Sequence, residues 1–262
     1  MTKKQPYIGI SGFMSPEEVE ACCAFLPTAT ERQRRLMIGV LASSKTVNGI
    51  PNNYPKKYPK REHWGQIFSK KPETINALHF HCESQDQSDR TYSELMRALE
   101  YCQNMVEIFQ LNMVWPESKV IHRVKSQYQW IKFLLQINLR MHGYSSMPQH
   151  QLATNLRRYN GLIDYFLIDY SGGIGCQLKP ELLLEYLAEI KNQNPQAQLA
   201  IAGGLKAENL RPLLEKIVSA YPDISIDAES GLRDNSEGGG QLDREKARDY
   251  LTEAFSVLEP RT

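Results

Sequence analysis

Three features of the sequence predict an α/β chain closed into a (β/α)8 (TIM) barrel with a long insertion after the second strand. Short apolar runs alternate with amphipathic stretches along the whole length, the mark of parallel βα units. Eight such runs and eight crossovers can be placed, which fits a closed barrel better than an open sheet. No Gly-rich dinucleotide fingerprint follows the first run, which weighs against an open doubly wound sheet. The 262 residues suit one barrel domain over 1–262.

The first strand reads Tyr7 to Gly12. A helix opens behind it at Ser15, with Pro16 at its first position and Glu17 and Glu18 in its first turn, where carboxylates favour the positive end of the helix dipole. The second strand reads Leu36 to Ala42. Residues 43–72 then break the rhythm with Pro51, Pro55, Pro59 and a Lys/Tyr-rich stretch. A loop this long is commonly functional, and its place after the second strand predicts a lid over the catalytic face. The third strand, Ile75 to Cys82, leads to a helix over about 91–103. The fourth, Val106 to Val114, leads to a short helix over 116–128. The fifth, Ile131 to Ile137, leads to a helix over about 148–159. The sixth strand is Tyr165 to Asp169, with Pro180 opening the next helix. The seventh is Gln198 to Ala202, with a helix from Ala207. The eighth is Ser225 to Ala228, and the last helix runs from the N-cap Asp243 to Leu258.

Composition narrows the partners. Basic residues number 31 and acidic ones 30, so net charge points to neither nucleic acid nor an anionic membrane. No apolar run reaches the roughly 18 residues of a membrane span, and the first residues lack the apolar stretch of a signal peptide. Five cysteines, two of them adjacent at Cys22 and Cys23, form neither a disulfide framework nor a C-x-x-C metal pair. A cytoplasmic, reducing setting is expected. The oligomeric state is not legible in the sequence.

The active site of such a barrel lies in the loops behind the strands' carboxyl ends. Three of these loops are rich in glycine: Gly172-Gly173-Ile174-Gly175 after strand six, Gly203-Gly204 after strand seven, and Ser230-Gly231 after strand eight. Glycine lets backbone N–H groups approach a ligand, and a helix starting at once behind the loop adds its dipole. Loops seven and eight are neighbours, so their donors can converge on one phosphate. A phosphorylated small molecule is the expected ligand.

These stretches resemble the phosphoribosylanthranilate isomerase family of tryptophan biosynthesis, of which the chain looks like a divergent member. The match runs through Ile10-Ser11-Gly12 with Ser15-Pro16-Glu17-Glu18-Val19, then Gln110-Leu111, then Leu167-Ile168-Asp169 with Gly172-Gly173-Ile174-Gly175. It continues through Ala202-Gly203-Gly204-Leu205 with Glu208-Asn209-Leu210, and closes with Ile226-Asp227, Ser230-Gly231 and Gln241-Leu242-Asp243. Its densest part spans about 164–251. The resemblance implies an intramolecular isomerase that carries out an Amadori rearrangement of an aminoaldose phosphate by acid–base catalysis, with no metal and no cofactor. It implies Asp169 as general acid and Asp227 as a group that orients substrate or holds the end of the first strand. It implies Gly173, Gly175, Gly203, Gly204, Ser230 and Gly231 as phosphate binders. The family's general base is a cysteine at the end of strand one, immediately before glycine; here that place holds Ser11. A serine hydroxyl titrates far above neutral pH and needs a partner that takes its proton. The family also pairs the substrate's carboxylate with an arginine after strand two, and Arg61 is the candidate.

Other readings remain open at this level. His79 and His81, at period two on strand three, face one side and could hold a metal, as in a sugar-phosphate epimerase. Lys132 on strand five could form a Schiff base, as in an aldolase. Cys176 lies beside loop six. The stretch Lys56-Lys57-Tyr58-Pro59-Lys60-Arg61 reads as a solvated face rather than a nucleic-acid contact. A non-catalytic phosphometabolite-binding barrel is the third alternative.

Overall fold

The computed structural model describes residues 5–28, 33–81, 88–112, 116–138, 149–169, 180–234, 236–237 and 239–259. Its eight strands are β1 (Tyr7–Ser11), β2 (Arg35–Ser43), β3 (Thr74–His81), β4 (Ile108–Asn112), β5 (Lys132–Asn138), β6 (Tyr165–Asp169), β7 (Gln198–Ala202) and β8 (Ser225–Ala228). Every strand pairs in parallel with its sequence neighbours, and β1 pairs with β8, so the sheet closes in the order β1 to β8. The predicted fold class is the observed one, and the predicted bounds of β6, β7 and β8 coincide with the observed strands.

Period-two alternation sorts the strand residues. Tyr7, Met37, Ile75, Ile108, Leu134, Tyr165, Leu167 and Ala200 pack inside the barrel. The residues between them, such as Ile8, Ile38, Phe80, Phe109, Phe133 and Ile201, pack outward against the helices. The helices in chain order are α1 (Pro16–Cys23), α2 (Ser44–Val47), α3 (Trp64–Ile67), α4 (Ser88–Tyr101), α5 (Ser118–Gln127), α6 (Gln149–Arg157), α7 (Pro180–Gln193), α8 (Ala207–Val218) and α9 (Arg244–Leu258), and the first and last are capped as their sequences predict. Ser15 accepts from the Glu18 N–H at the start of α1 (Pro16–Cys23). Asp243 accepts from the N–H groups of Glu245 and Lys246 at the start of α9 (Arg244–Leu258).

The insertion after β2 differs from the expected lid. It holds two short helices, α2 (Ser44–Val47) and α3 (Trp64–Ile67), with a 3-10 turn at Arg61–His63. Trp64, Ile67 and Phe68 are buried in the outer core. The Trp64 indole donates to the Pro59 carbonyl and meets Tyr101 edge-on, at the last residue of α4 (Ser88–Tyr101). Residues 59–68 therefore fill the space of a crossover helix, because the strand pair needs an apolar cover outside the barrel. Trp64→Ala is expected to cost about 3–5 kcal/mol, read as a lower midpoint in denaturant at unchanged slope. Only residues 54–58 behave as a strap. They cross to the chain behind β8, where Lys57 Nζ meets Glu229 Oε1 at 2.7 Å and Lys56 Nζ donates to Ser236 Oγ at 3.0 Å.

Candidate active site

At the carboxyl end of the barrel the interior turns from apolar to polar. Continuing the inward-facing positions by two residues brings in Ser11 on β1, His79 on β3, Gln110 on β4, Gln136 on β5, Asp169 on β6 and Asp227 on β8. All but Asp169 are buried. Such a group persists only when its members satisfy one another.

They are joined by a chain of hydrogen bonds across the mouth, which leaves one buried atom, Gln110 Oε1, without a protein partner. Ser11 Oγ donates to the Asp227 carboxylate, 3.0 Å from either oxygen. Gln110 Nε2 lies 3.5 Å from Asp227 Oδ2 and 3.2 Å from Gln136 Oε1. Gln136 Nε2 donates to Asp169 Oδ2 at 3.0 Å. Ser11 and Asp169, the two ends of the predicted acid–base pair, are thus joined through Asp227 and two amides. Gln110 Nε2 also reaches the His79 ring, 3.3 Å from Nδ1.

Two glycines make room for the Ser11–Asp227 pair. A Cβ at Gly39 of β2 would stand 2.5 Å from Ser11 Oγ, and one at Gly9 of β1 would stand 2.9 Å from Asp227 Oδ1. Ala202 lies between the carboxylates: it is the register partner of both Asp169 and Asp227. Two strand spacings put these carboxylate-bearing positions roughly 10 Å apart along the sheet, with only a methyl group between them.

Burial decides the electrostatics. It pushes the Asp227 carboxyl up to about 7; the hydrogen bonds from Ser11 and Gln110 oppose the shift, while the charges of Glu229 and Asp169 add to it. Asp227 therefore exchanges a proton near neutral pH, the property a general base or acid needs. Burial lowers His79 to about 4, so its imidazole is neutral. His81 places Nδ1 2.8 Å from the Asn112 carbonyl oxygen. No group of three His, Cys, Asp or Glu side chains among the described residues is placed to hold a metal ion.

The predicted phosphate loops divide. Gly173, Gly175 and Cys176 lie outside the described residues. Behind β7, Gly203 and Gly204 both take positive φ (116° and 65°), a turn that side chains resist. The turn is closed by Asn209 of α8 (Ala207–Val218), which accepts from Lys206 N–H and donates to the Gly204 carbonyl. Behind β8, Ser230 and Gly231 open a 3-10 turn. The two loops touch: a Cβ at Gly231 would overlap the Leu205 carbonyl oxygen. Gly203, Gly204, Ser230 and Gly231 are therefore brought into one region, next to Asp169 and Asp227.

Arg61 does not join them. Its guanidinium donates to the Val47 carbonyl, pairs with Glu62 and stacks over the Tyr101 ring, and it lines a separate pocket with Met14 and Thr46 rather than meeting Asp169 or Asp227. The cation that the insertion does bring near the mouth is Lys57, on Glu229. Lys132 is the first residue of β5, at the end of the barrel opposite the mouth, which removes it from the site. Gln136 and Glu229 went unmarked in the sequence, and Lys57, read there as part of a solvated face, is instead paired with Glu229. Gln136 had a signal there, since it stands two residues beyond Leu134 at the same inward period as Gln110 beyond Ile108.

No protein-family model matches the chain, and no curated protein matches it in sequence. Among solved structures, it is similar to the catalytic domain of a hyperthermophilic chitinase from Pyrococcus furiosus: TM-score 0.60, 10% identity, 99% of this chain and 98% of that one. It is similar to the tryptophan synthase alpha chain from Legionella pneumophila: TM-score 0.54, 13% identity, 97% and 92% covered. It is also similar to orotidine 5'-monophosphate decarboxylase from Methanocaldococcus jannaschii: TM-score 0.53, 9% identity, 95% and 98% covered. At these identities the likeness shows the TIM-barrel fold alone. No helix among the described residues is long and apolar enough to cross a membrane.

Proposed function

We propose that the chain is an intramolecular isomerase acting on a phosphorylated sugar derivative, by an Amadori-type aldose–ketose rearrangement like that of the phosphoribosylanthranilate isomerases its motifs resemble. The observation that carries this reading is the Ser11–Asp227 hydrogen bond. The motif resemblance puts a serine where the family keeps a thiol base, and a serine needs a proton acceptor. Asp227, 3.0 Å away and titrating at about 7, is that acceptor.

In this scheme the phosphate lies against Gly203, Gly204, Ser230 and Gly231, and the sugar spans the gap above Ala202. Asp169, in its protonated form, gives its proton to the ring oxygen; the C1–O bond breaks, and the nitrogen lone pair forms the C1–N double bond of a Schiff base. The proton on C2 then passes to Asp227 through the Ser11 hydroxyl, which releases one proton as it receives another. The C2 electron pair closes the enolamine, which tautomerises to the ketose. Gln136 and Gln110 orient the two carboxylates. No metal or cofactor enters the scheme.

Purified protein should turn over phosphoribosylanthranilate, and Asp169→Asn should lower kcat by about 10²–10⁴. No turnover of that substrate, with Asp169→Asn matching wild type on a panel of aldose phosphates, sinks the proposal. It would leave a phosphometabolite-binding barrel as the better reading.

A further inference from the structure

At the opposite end of the barrel lies a cavity of about 1130 Å³, which the proposed isomerisation does not use. It is walled by the segments that enter β1, β2, β5, β6, β7 and β8, so it is central to that face rather than a crevice at its edge. We propose that this cavity is a binding site for a neutral saccharide.

The first observation is an aromatic platform. Trp130 lines the cavity and is 53% exposed, one of three large apolar side chains so exposed among the described residues. Tyr128 meets its ring edge-on, with centroids 5.2 Å apart at 85°. That contact fixes the indole while leaving it open to the cavity, and an amphipathic ring so held suits a ligand with one apolar face. The C–H face of a pyranose is such a face.

The second observation is the chemistry of the walls. Gln5, Gln33, Gln129, Gln196 and Gln198 all line the cavity. A primary amide donates and accepts at once, as a sugar hydroxyl does, so amides match hydroxyls without charge. The charged lining residues cancel: Lys125 and Lys132 stand against Asp164 and Asp223, and Lys125 Nζ is paired with Asp164 Oδ2 at 2.7 Å. A site with no net charge selects neither an anion nor a cation. A phosphorylated ligand belongs to the other end of the barrel.

The third observation is rigidity. Asp164 Oδ2 also accepts from the Phe133 N–H, and the Asp164 carbonyl accepts from the Gln198 N–H. The Ile131 N–H donates to the Tyr128 carbonyl. The segments that carry Trp130 and Gln198 are therefore tied to strand starts, which lowers the entropy lost on binding there.

The test is a titration of the full chain with maltotriose and with cellotriose, using glycerol as control. Binding is read by saturation-transfer NMR on the sugar and by tryptophan fluorescence; of the three tryptophans, Trp130 is assigned as the reporter by the loss of the change in Trp130→Ala. One of the trisaccharides is expected to bind saturably, with Trp130→Ala weakening it about tenfold or more and Gln198→Ala weakening it less. Trp130 is exposed, so its removal should leave the fold intact, and circular dichroism of each variant verifies this. Two outcomes overturn the proposal. One is no saturable signal from either trisaccharide; the other is equal binding by wild type and Trp130→Ala. A concentration-dependent dimer abolished by Trp130→Ala, with no sugar signal, would assign the face to a second copy of the chain instead.

Discussion

Asp227→Asn is expected to abolish most of the proposed isomerase activity and yet stabilise the protein at neutral pH. Activity should fall by about 10²–10⁴, the scale of losing one proton-transfer group. In wild type, kcat/KM should rise with pH through about 7, where the buried carboxyl ionises; that rising limb should vanish in the variant. The stability effect has the opposite sign. Burial raises the folded-state value of Asp227 above that of the unfolded chain, 3.8 to about 7. Between these values the folded protein holds a proton that the unfolded chain has released, so this group's contribution falls as pH rises through that window. Above about 7 the folded protein carries a buried charge, at a cost of a few kcal/mol. Asparagine keeps an acceptor for Ser11 and avoids the charge. The Tm of Asp227→Asn should therefore exceed that of wild type at pH 8 and lose that advantage near pH 4. A variant that keeps the pH limb would show that another group takes the proton.

The barrel was legible because its signals are local. Strand runs, caps such as Ser15 and Asp243, and the Gly-rich loops are each written within a few residues. The last three strands coincide with their predicted bounds because each is flanked by a loop or helix start that the sequence marks clearly. The insertion was misread for the converse reason. Trp64, Ile67 and Phe68 lie in a Pro- and Lys-rich stretch without helical periodicity, and only the space between α1 and α4 makes them core. Their register against the barrel is a tertiary fact. Arg61 follows from the same packing: with Trp64 anchored on Tyr101, the Arg61 guanidinium is held on Tyr101 and the Val47 carbonyl and not on the Asp169–Asp227 chain.

The candidate site was half legible. Asp169, Asp227 and Ser11 stand at strand ends, where inward polar residues are expected to carry chemistry. Their relation was hidden, because Ser11 and Asp227 are 216 residues apart in the chain and meet only when β8 closes on β1. The amides were nearer to being readable. Ile108-Gln110-Asn112 and Leu134-Gln136-Asn138 repeat one inward pattern, apolar then amide then amide, on adjacent strands. Two such patterns side by side signal that the interior changes from core to site at that height. Glu229 continues the same alternation beyond Asp227, and the Lys57 strap offsets its charge beside an already crowded set of carboxylates.

Gly231→Ala should separate the proposed phosphate end of this site from its proposed acid–base end. The new Cβ would overlap the Leu205 carbonyl oxygen, which is backbone and cannot rotate away as a side chain could. The loops behind β7 and β8 must then part, and overpacking of this kind costs about 1–3 kcal/mol. Parting them moves Ser230 and the Gly203–Gly204 turn away from one another, so the donors proposed to share one anion no longer can. Inorganic phosphate that binds only the folded state raises Tm with concentration. That rise should be clear in wild type, smaller in Ser230→Ala, which loses a single hydroxyl, and absent in Gly231→Ala. The Ser11–Asp227 pair rests on Gly9 and Gly39, on the far side of β8, and should keep its geometry. Gly231→Ala is then expected to raise KM for a phosphorylated substrate at least tenfold while keeping the rising limb of the pH profile near 7. A Gly231→Ala protein with wild-type phosphate stabilisation would move the anion elsewhere on the mouth and remove the reason for orienting the sugar between Asp169 and Asp227.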